Sequence, residues 1–287
     1  MNLNGVFVID KPAGMTSHDV VDRIRKQFSI ARAGHLGTLD PMATGVLPVC
    51  VGKATRLGQF ISGSPKEYIG EIRFGFSTTT YDREGTPSSR EKPLSGSQDT
   101  VREAMRQLTG SLNQVPPPFS AKKIGGVPAH RLARRGRPVV VAPSRVEVYA
   151  FEMTKFDPKA IEFRVVSSAG TYVRSLAHDL GQLLGCGAHL GSLRRIRSGE
   201  FSVADAIQLD QITAEALVPM EKLLESWPRL DVTGDDEQRV RHGNQIECDA
   251  EGQFARIFNK RGEFLAVAAI ENGWVRPRLV LTSNTSS

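Results

Sequence analysis

The sequence predicts an α+β fold with a smaller β unit at its C-terminal end, and three observations carry that reading. Runs alternating apolar and polar residues recur at Tyr68 to Phe76, Val146 to Met153 and Ile161 to Ser168, the period-2 signature of half-buried strands. Elsewhere apolar residues fall three or four apart, as in Val20, Ile24 and Phe28, in Val101, Met105 and Leu108, and in Val173, Leu176 and Leu180. That spacing lays a stripe along one face of a helix. After Trp227-Pro228 the composition shifts to short apolar runs between glycine-containing turns.

In chain order, Asn4 to Asp10 is β-branched and aromatic and reads as a strand, broken by Lys11-Pro12-Ala13-Gly14. Thr16 to Phe28 reads as a helix, with Thr16 or Ser17 able to cap it and Asp19 suited to its positive N-terminus. Val46 to Val51 is expected as a buried strand and Lys53 to Ile61 as a short helix. Asp99 to Gly110 is the second long helix, stopped by its glycine. Gln114-Val-Pro-Pro-Pro118 is a stiff non-helical spacer. It leads into FSAKKIGGVPAHRLARRGRP, with one short helix expected at Ala129 to Arg135. Gly170 to Leu184 is a third helix, and the apolar spacing from Leu209 to Leu224 predicts a fourth. In the last segment Val240, Ile246, Phe254 to Phe258, Phe264 to Ile270 and Val275 to Leu281 read as strands, and the tail TSNTSS as disordered.

At 287 residues the chain can hold one large domain and a small one, and 40% hydrophobic residues make it globular. The apolar runs are too short for a bilayer span, and the N-terminus lacks the pattern of a secretion signal. Cys50, Cys186 and Cys248 form no CxxC pair, which supports neither a zinc site nor a disulfide framework and leaves a reducing cytoplasm as the expectation. The net charge of +6 is modest, but its distribution is not even. Between Glu103 and Glu147 there is no acid, while Arg106, Lys122, Lys123, Arg131, Arg134, Arg135, Arg137 and Arg145 all fall there. Such a patch suits a polyphosphate backbone; a merely solvated face is the plainer alternative.

The most unusual stretch is Gly34 to Pro48, GHLGTLDPMATGVLP, in which one carboxylate, Asp40, sits among three glycines and two prolines. The glycines permit positive φ or close backbone approach, and Pro41 steers Asp40 away from the α region. The result is a shaped loop feeding a buried strand and presenting one acid beside His35. A simple Asp-Pro turn with packing glycines would also account for it. A phosphate-binding loop would not: Gly52-Lys53 is followed by Ala54, and Leu47 stands where the first glycine belongs. Arg174, in the first turns of its helix, opposes the macrodipole and calls for a nearby anion unless it is a plain surface arginine.

GHLGTLDPMATGVLPVCVGKATR resembles the signature of the TruB family of tRNA pseudouridine synthases. The resemblance extends to KPAGMTS, KEY, GTYVR and LRRI. It implies a mixed, largely antiparallel sheet flanked by helices, the pseudouridine synthase fold, in a catalytic domain over 1–227. A basic RNA-clasping thumb would be inserted at about 116–141, with a PUA-like RNA-binding β domain at 228–282 and a disordered tail at 283–287. It implies Asp40 as the catalytic aspartate, Tyr68 stacked on the target base and Arg174 set against Asp40. His35 would contact the RNA, Tyr172 would pack the pocket floor, and Leu193-Arg194 would wall the site or meet phosphate. Lys11 is expected as a substrate contact or a structural residue, and Arg131 belongs to the thumb's RNA-binding set.

The implied reaction converts uridine to pseudouridine: N1–C1′ breaks, the uracil turns, and C5 rejoins C1′. Nothing is oxidised and no group is carried in, so no cofactor or metal is expected. Asp40 would act as a nucleophile at C6 or C1′, or as a base at C2′, on a uridine flipped out of its stack. The implied substrate is uridine 55 in the T-stem-loop of tRNA. The enzyme is expected to act in the cytoplasm as a monomer, with no membrane and no obligatory protein partner. The other classes weighed are a non-catalytic tRNA chaperone, which retention of Asp40, Tyr68 and Arg174 speaks against, and a phosphate-binding hydrolase, which the failed phosphate loop disfavours.

Overall fold

The computed structural model describes residues 3–119, 123–124, 127–128 and 142–281. The chain opens with β1 (Gly5–Lys11), then α1 (Ser17–Gln27), β2 (Ala33–His35), β3 (Thr44–Val51), α2 (Gly58–Ile61) and β4 (Lys66–Phe74). Next come α3 (Gln98–Gln107), β5 (Gly110–Gln114), the two-residue strands β6 (Lys123–Ile124) and β7 (Val127–Pro128), β8 (Ser144–Asp157) and β9 (Ala160–Ser167). They are followed by α4 (Val173–Leu183), β10 (Ala188–Ser198), β11 (Phe201–Ser202), β12 (Ile207–Gln208) and β13 (Val218–Pro219). Then come β14 (Arg229–Val232), α5 (Gly234–Arg241), β15 (Ile246–Glu247), β16 (Phe254–Asn259), β17 (Phe264–Glu271) and β18 (Trp274–Val280).

Among the described residues eleven strands make one mixed sheet, whose main order is β12-β1-β3-β10-β4-β9-β8-β5. Its pairings are antiparallel except β1 with β12 and β3 with β10. β1 and β3 are buried on both faces, which is why they read as continuous apolar runs, whereas β9 alternates buried positions with half-buried or exposed ones. Helix α1 begins where Thr16 and Asp19 form a reciprocal capping box, Asp19 N donating to Thr16 Oγ1 and Thr16 N to Asp19 Oδ2. Ser97 and Thr100 start α3 in the same way. One large core lies under α1, α3 and α4, with Phe7, Ile24, Leu47, Met105, Phe163 and Leu176 buried within it.

A second core joins the two ends of the chain. Val6, Val46 and Leu57 pack in one cluster with Phe258, Phe264, Val267 and Leu279 of the C-terminal sheet, whose order is β14-β16-β17-β18-β15. The buried Arg256 of β16 donates to the carbonyls of Leu223 and Trp227; the Trp227 ring stacks on Phe254, and Phe60 meets both edge-on. The C-terminal unit is therefore a small β domain docked against the sheet's back, not a loosely tethered module.

Three expectations change. Leu209 to Leu224 is not a helix but extended chain with two short 3₁₀ turns and β13. Pro219 interrupts any helix there, and the apolar residues serve two different cores: Leu209 and Ile212 the first, Met220, Leu223 and Leu224 the second. Val240 lies in α5, not in a strand, and its side chain is buried against β17 and β18. β10 was not expected as a strand and stands at the sheet's centre. The helix at Ala129 to Arg135, Arg131, most of the 116–141 thumb and the 283–287 tail lie outside the described residues. No helix among those residues is long and apolar enough to cross a membrane.

Candidate active site

Asp40 lies in the turn between β2 and β3, and that turn is held at four places by side chains from other elements. Ser17, buried at the start of α1, exchanges bonds with both polar groups of Leu39: Leu39 N donates to Ser17 Oγ at 2.8 Å, and Ser17 Oγ donates to Leu39 O at 3.1 Å. Lys11 Nζ reaches Pro41 O at 3.3 Å while also donating to the carbonyls of Pro12 and Met15. Arg195 of β10 spans the turn, donating from Nε to Val46 O at 2.7 Å and from Nη2 to Gly37 O at 3.1 Å. Gly45 must be glycine: its φ is +99°, and a Cβ there would stand 2.2 Å from Arg195 O, where β3 runs parallel to β10. The acid therefore projects from backbone fixed on both sides.

What it meets is Arg174. Nη2 donates to Asp40 Oδ1 at 2.9 Å and to Phe119 O at 3.0 Å, and Nη1 donates to Thr80 O at 3.1 Å and lies 3.5 Å from Asp82 Oδ2. The arginine sits one residue into α4, where Gln114 clamps the helix start through reciprocal bonds with Tyr172 N and O. Thr80 and Asp82 come from a turn in which Tyr81 takes φ +64° and stacks on His178, one helical turn beyond Arg174. Arg174 and Asp82 are almost fully buried, whereas Asp40 keeps 30% of its side-chain surface. The carboxylate that remains accessible faces a cleft of about 650 Å³.

One guanidinium thus serves two carboxylates. Burial pushes the Asp40 carboxyl above its ordinary value; Arg174 and Lys11 oppose that shift, while Asp82 adds to it. Burial likewise brings Lys11 down to about 8, with the charges of Asp40, Asp19 and Glu84 working the other way. His35, which also lines the cleft, is pushed below the usual imidazole value by burial, then by Arg195 and His18, and its Nδ1 has no hydrogen-bond partner. The cleft joins Asp40 and Arg174 to Tyr68, His35, Tyr172 and Leu193. Such a site offers an accessible carboxylate and aromatic side chains within a cleft roomy enough for a nucleotide.

Residues 25–173 match the description "TruB family pseudouridylate synthase (N terminal domain)" and residues 174–232 match "tRNA pseudouridylate synthase B C-terminal domain". This chain belongs to the TruB family of pseudouridylate synthases. The tRNA pseudouridine synthase B of Thermobifida fusca is 41% identical over 291 residues, covering 98% of this chain and 99% of that one. That of Solibacter usitatus is 39% identical over 281 residues, covering 93% and 96%. Among solved structures, an H/ACA RNP bound to a substrate RNA containing 2′-deoxyuridine superposes with a TM-score of 0.72 at 26% identity, covering 98% of this chain and 86% of that one. A Cbf5-Nop10-Gar1 complex gives 0.72 at 29%, covering 97% and 85%. The pseudouridine synthase fold and its mixed sheet stand as expected.

Of the residues singled out in the TruB-like motifs, Asp40, Tyr68, Arg174, His35, Tyr172 and Leu193 all line the one cleft. Two do not. Lys11 is fully buried, and its ammonium is taken up by three carbonyls, so it holds the Asp40 turn and does not line the cleft. Arg194 points away and forms a two-pronged pair with Asp10 at 3.0 and 2.7 Å; its neighbour Arg195 is the one in the cleft. Asp82, Ser17 and Lys66 were missed. Thr16-Ser17 read only as a cap, Asp82 sat in an unremarkable polar turn, and Lys66 was a lysine at a strand end.

Proposed function

We propose that this TruB-family chain isomerises uridine 55 in the T-loop of tRNA to pseudouridine, and that Asp40 is its catalytic carboxylate. The observation that carries the reading is the Arg174–Asp40 pair at 2.9 Å, set on a doubly anchored turn at the floor of a cleft that Tyr68 also lines. Support for tRNA comes from the relatives' names and from the long match to them.

A uridine in a folded loop must leave its stack to reach a cleft of this depth, at about a few kcal/mol. Tyr68 offers a face on which the base can rest, worth about 1–3 kcal/mol for such stacking. Asp40 then initiates cleavage of N1–C1′. The freed uracil turns, C5 bonds to C1′, the proton on C5 leaves and N1 takes one up, so the product is an isomer. Each step conserves atoms and electrons, and no redox partner or transferred group enters. Arg174 keeps Asp40 aimed and charged, since arginine itself does not lose its proton in proteins. The enzyme is proposed to act as a monomer, with the 116–141 thumb and the C-terminal domain gripping the RNA.

The test is to incubate a T-stem-loop RNA with purified protein and map pseudouridine by position. Conversion at the position of uridine 55 by the wild type, and none by Asp40→Asn, is the expected result. Conversion elsewhere, or normal turnover by Asp40→Asn, would overturn the assignment.

A further inference from the structure

Five cationic side chains are buried among the described residues: Lys11, Lys66, Arg174, Arg195 and Arg256. Three have acids at hand. Arg174 touches Asp40 and Asp82, Lys11 feels Asp40, Asp19 and Glu84, and Arg256 feels Glu225 and Glu200. Lys66 and Arg195 do not. Lys66 Nζ donates to the carbonyls of Ser62 and Ser64, and Arg195 donates to those of Gly37 and Val46. Neither forms an ion pair among the described residues.

The two are also neighbours. An ideal Cβ on Gly37 would lie 3.5 Å from Arg195 Nη1 and 3.8 Å from Lys66 Cε, so both side chains flank the same glycine. Gly37 has φ +118° and leaves that space open. Both cations line the cleft, with His35, whose Nδ1 lacks a partner, beside them. Burial and the charge of Arg195 push the Lys66 ammonium down to about 8, with no carboxylate acting on it in the other direction. Two adjacent buried cations held only by neutral carbonyls leave charge uncompensated, and buried charge is ordinarily paired. The spare donors, the missing counter-charge and the open glycine ask for an anion.

We infer that the Lys66–Arg195 wall is a phosphate subsite, and that it takes one backbone phosphodiester of the RNA strand carrying the target uridine. The inference rests on the RNA-modifying reading above. It separates the cleft into an acid side that works on the nucleoside and a cationic side that anchors the strand. His35, whose proton affinity is lowered by burial first and by Arg195 and His18 after it, then lies beside the anchored linkage as a filler.

The experiment is a scan of T-stem-loop RNAs, each carrying one uncharged methylphosphonate linkage, assayed for binding and for pseudouridine formation with wild type, Lys66→Met and Lys66→Arg. One linkage near the target uridine should cost wild type about 10-fold in Kd and cost Lys66→Met under about 2-fold. On unmodified RNA, Lys66→Met should flatten the slope of log Kd against log salt by about 0.7, the contribution of one phosphate on a single strand. Lys66→Arg should restore most of it. Inorganic phosphate at constant ionic strength should compete no better than chloride; strong competition without any sensitive linkage would mean a free-anion site and would sink the backbone assignment. If Lys66→Met fails to fold, the wild-type scan still decides, because equal penalties at all linkages overturn the proposal. Wild-type conversion of the unmodified stem-loop tests the catalytic reading separately.

Discussion

Arg174 and Arg195 are both buried arginines lining one cleft, and they stand in opposite electrostatic conditions. Arg174 lies between two carboxylates, so its charge is spent inside the protein on orienting Asp40. Arg195 has only carbonyls, so it fastens the Asp40 turn while its charge stays uncompensated. Residue type and burial alone do not reveal a side chain's job. The sign of what surrounds it does.

The sharpest test of the contrast is Asp40→Asn. Turnover should fall by at least about 10³-fold, as removal of an essential catalytic group does, with tRNA affinity within about 2-fold. Because burial raises the Asp40 carboxyl above its unfolded value, its ionisation costs stability as pH rises through the folded value. Asp40→Asn should therefore melt at the same or a higher temperature at pH 7, Arg174 keeping Asp82. Arg174→Met removes the cation that two carboxylates share, leaving Asp82 only its neutral donors Thr80 and Glu84 N, and should cost about 3–5 kcal/mol in urea denaturation, together with most of the activity. Arg195→Met strands two buried carbonyls but no acid, and should cost about 1–3 kcal/mol; equal losses in the two variants would erase the distinction. Tyr68→Leu should reduce the rate about 10- to 100-fold through lost stacking, while Tyr68→Phe separates the ring from the hydroxyl. The smallest effect is a shift in pH. Asp82 raises the Asp40 carboxyl, so Asp82→Asn should move the acid limb of the single-turnover rate to lower pH. A limb that stays or moves upward would show that Asp82 acts on Asp40 by some route other than its charge.

Much of this was legible in the sequence. The glycine-shaped turn, its single acid and the GTYVR arginine meet as expected, because each is local and distinctive in composition. β10 was hidden because its central residues read LRRIR, a charged run, and one of those arginines is buried at the heart of the sheet. A strand whose inward position holds a guanidinium shows no apolar alternation there. Ser17 and Lys66 were hidden for other reasons: Leu39, the partner of Ser17, is brought near only by the tertiary fold, whereas Lys66 folds back onto the carbonyls of Ser62 and Ser64 just before it, a local turn that a lysine at a strand end does not announce. The false helix at Leu209 to Leu224 shows the converse, an apolar rhythm produced by two cores and not by one helical face.

The second core sets a timetable for biosynthesis. Val6 lies in β1, yet the cluster that encloses it includes Phe258, Phe264 and Leu279, and β1 pairs along one edge with β12 and β13 from beyond residue 200. Contacts of such sequence separation close slowly. One edge and one face of β1 are therefore completed only by segments from beyond residue 200, while β3 can cover the other edge early, and Val6 and Val8 must stay sheltered until those segments are made.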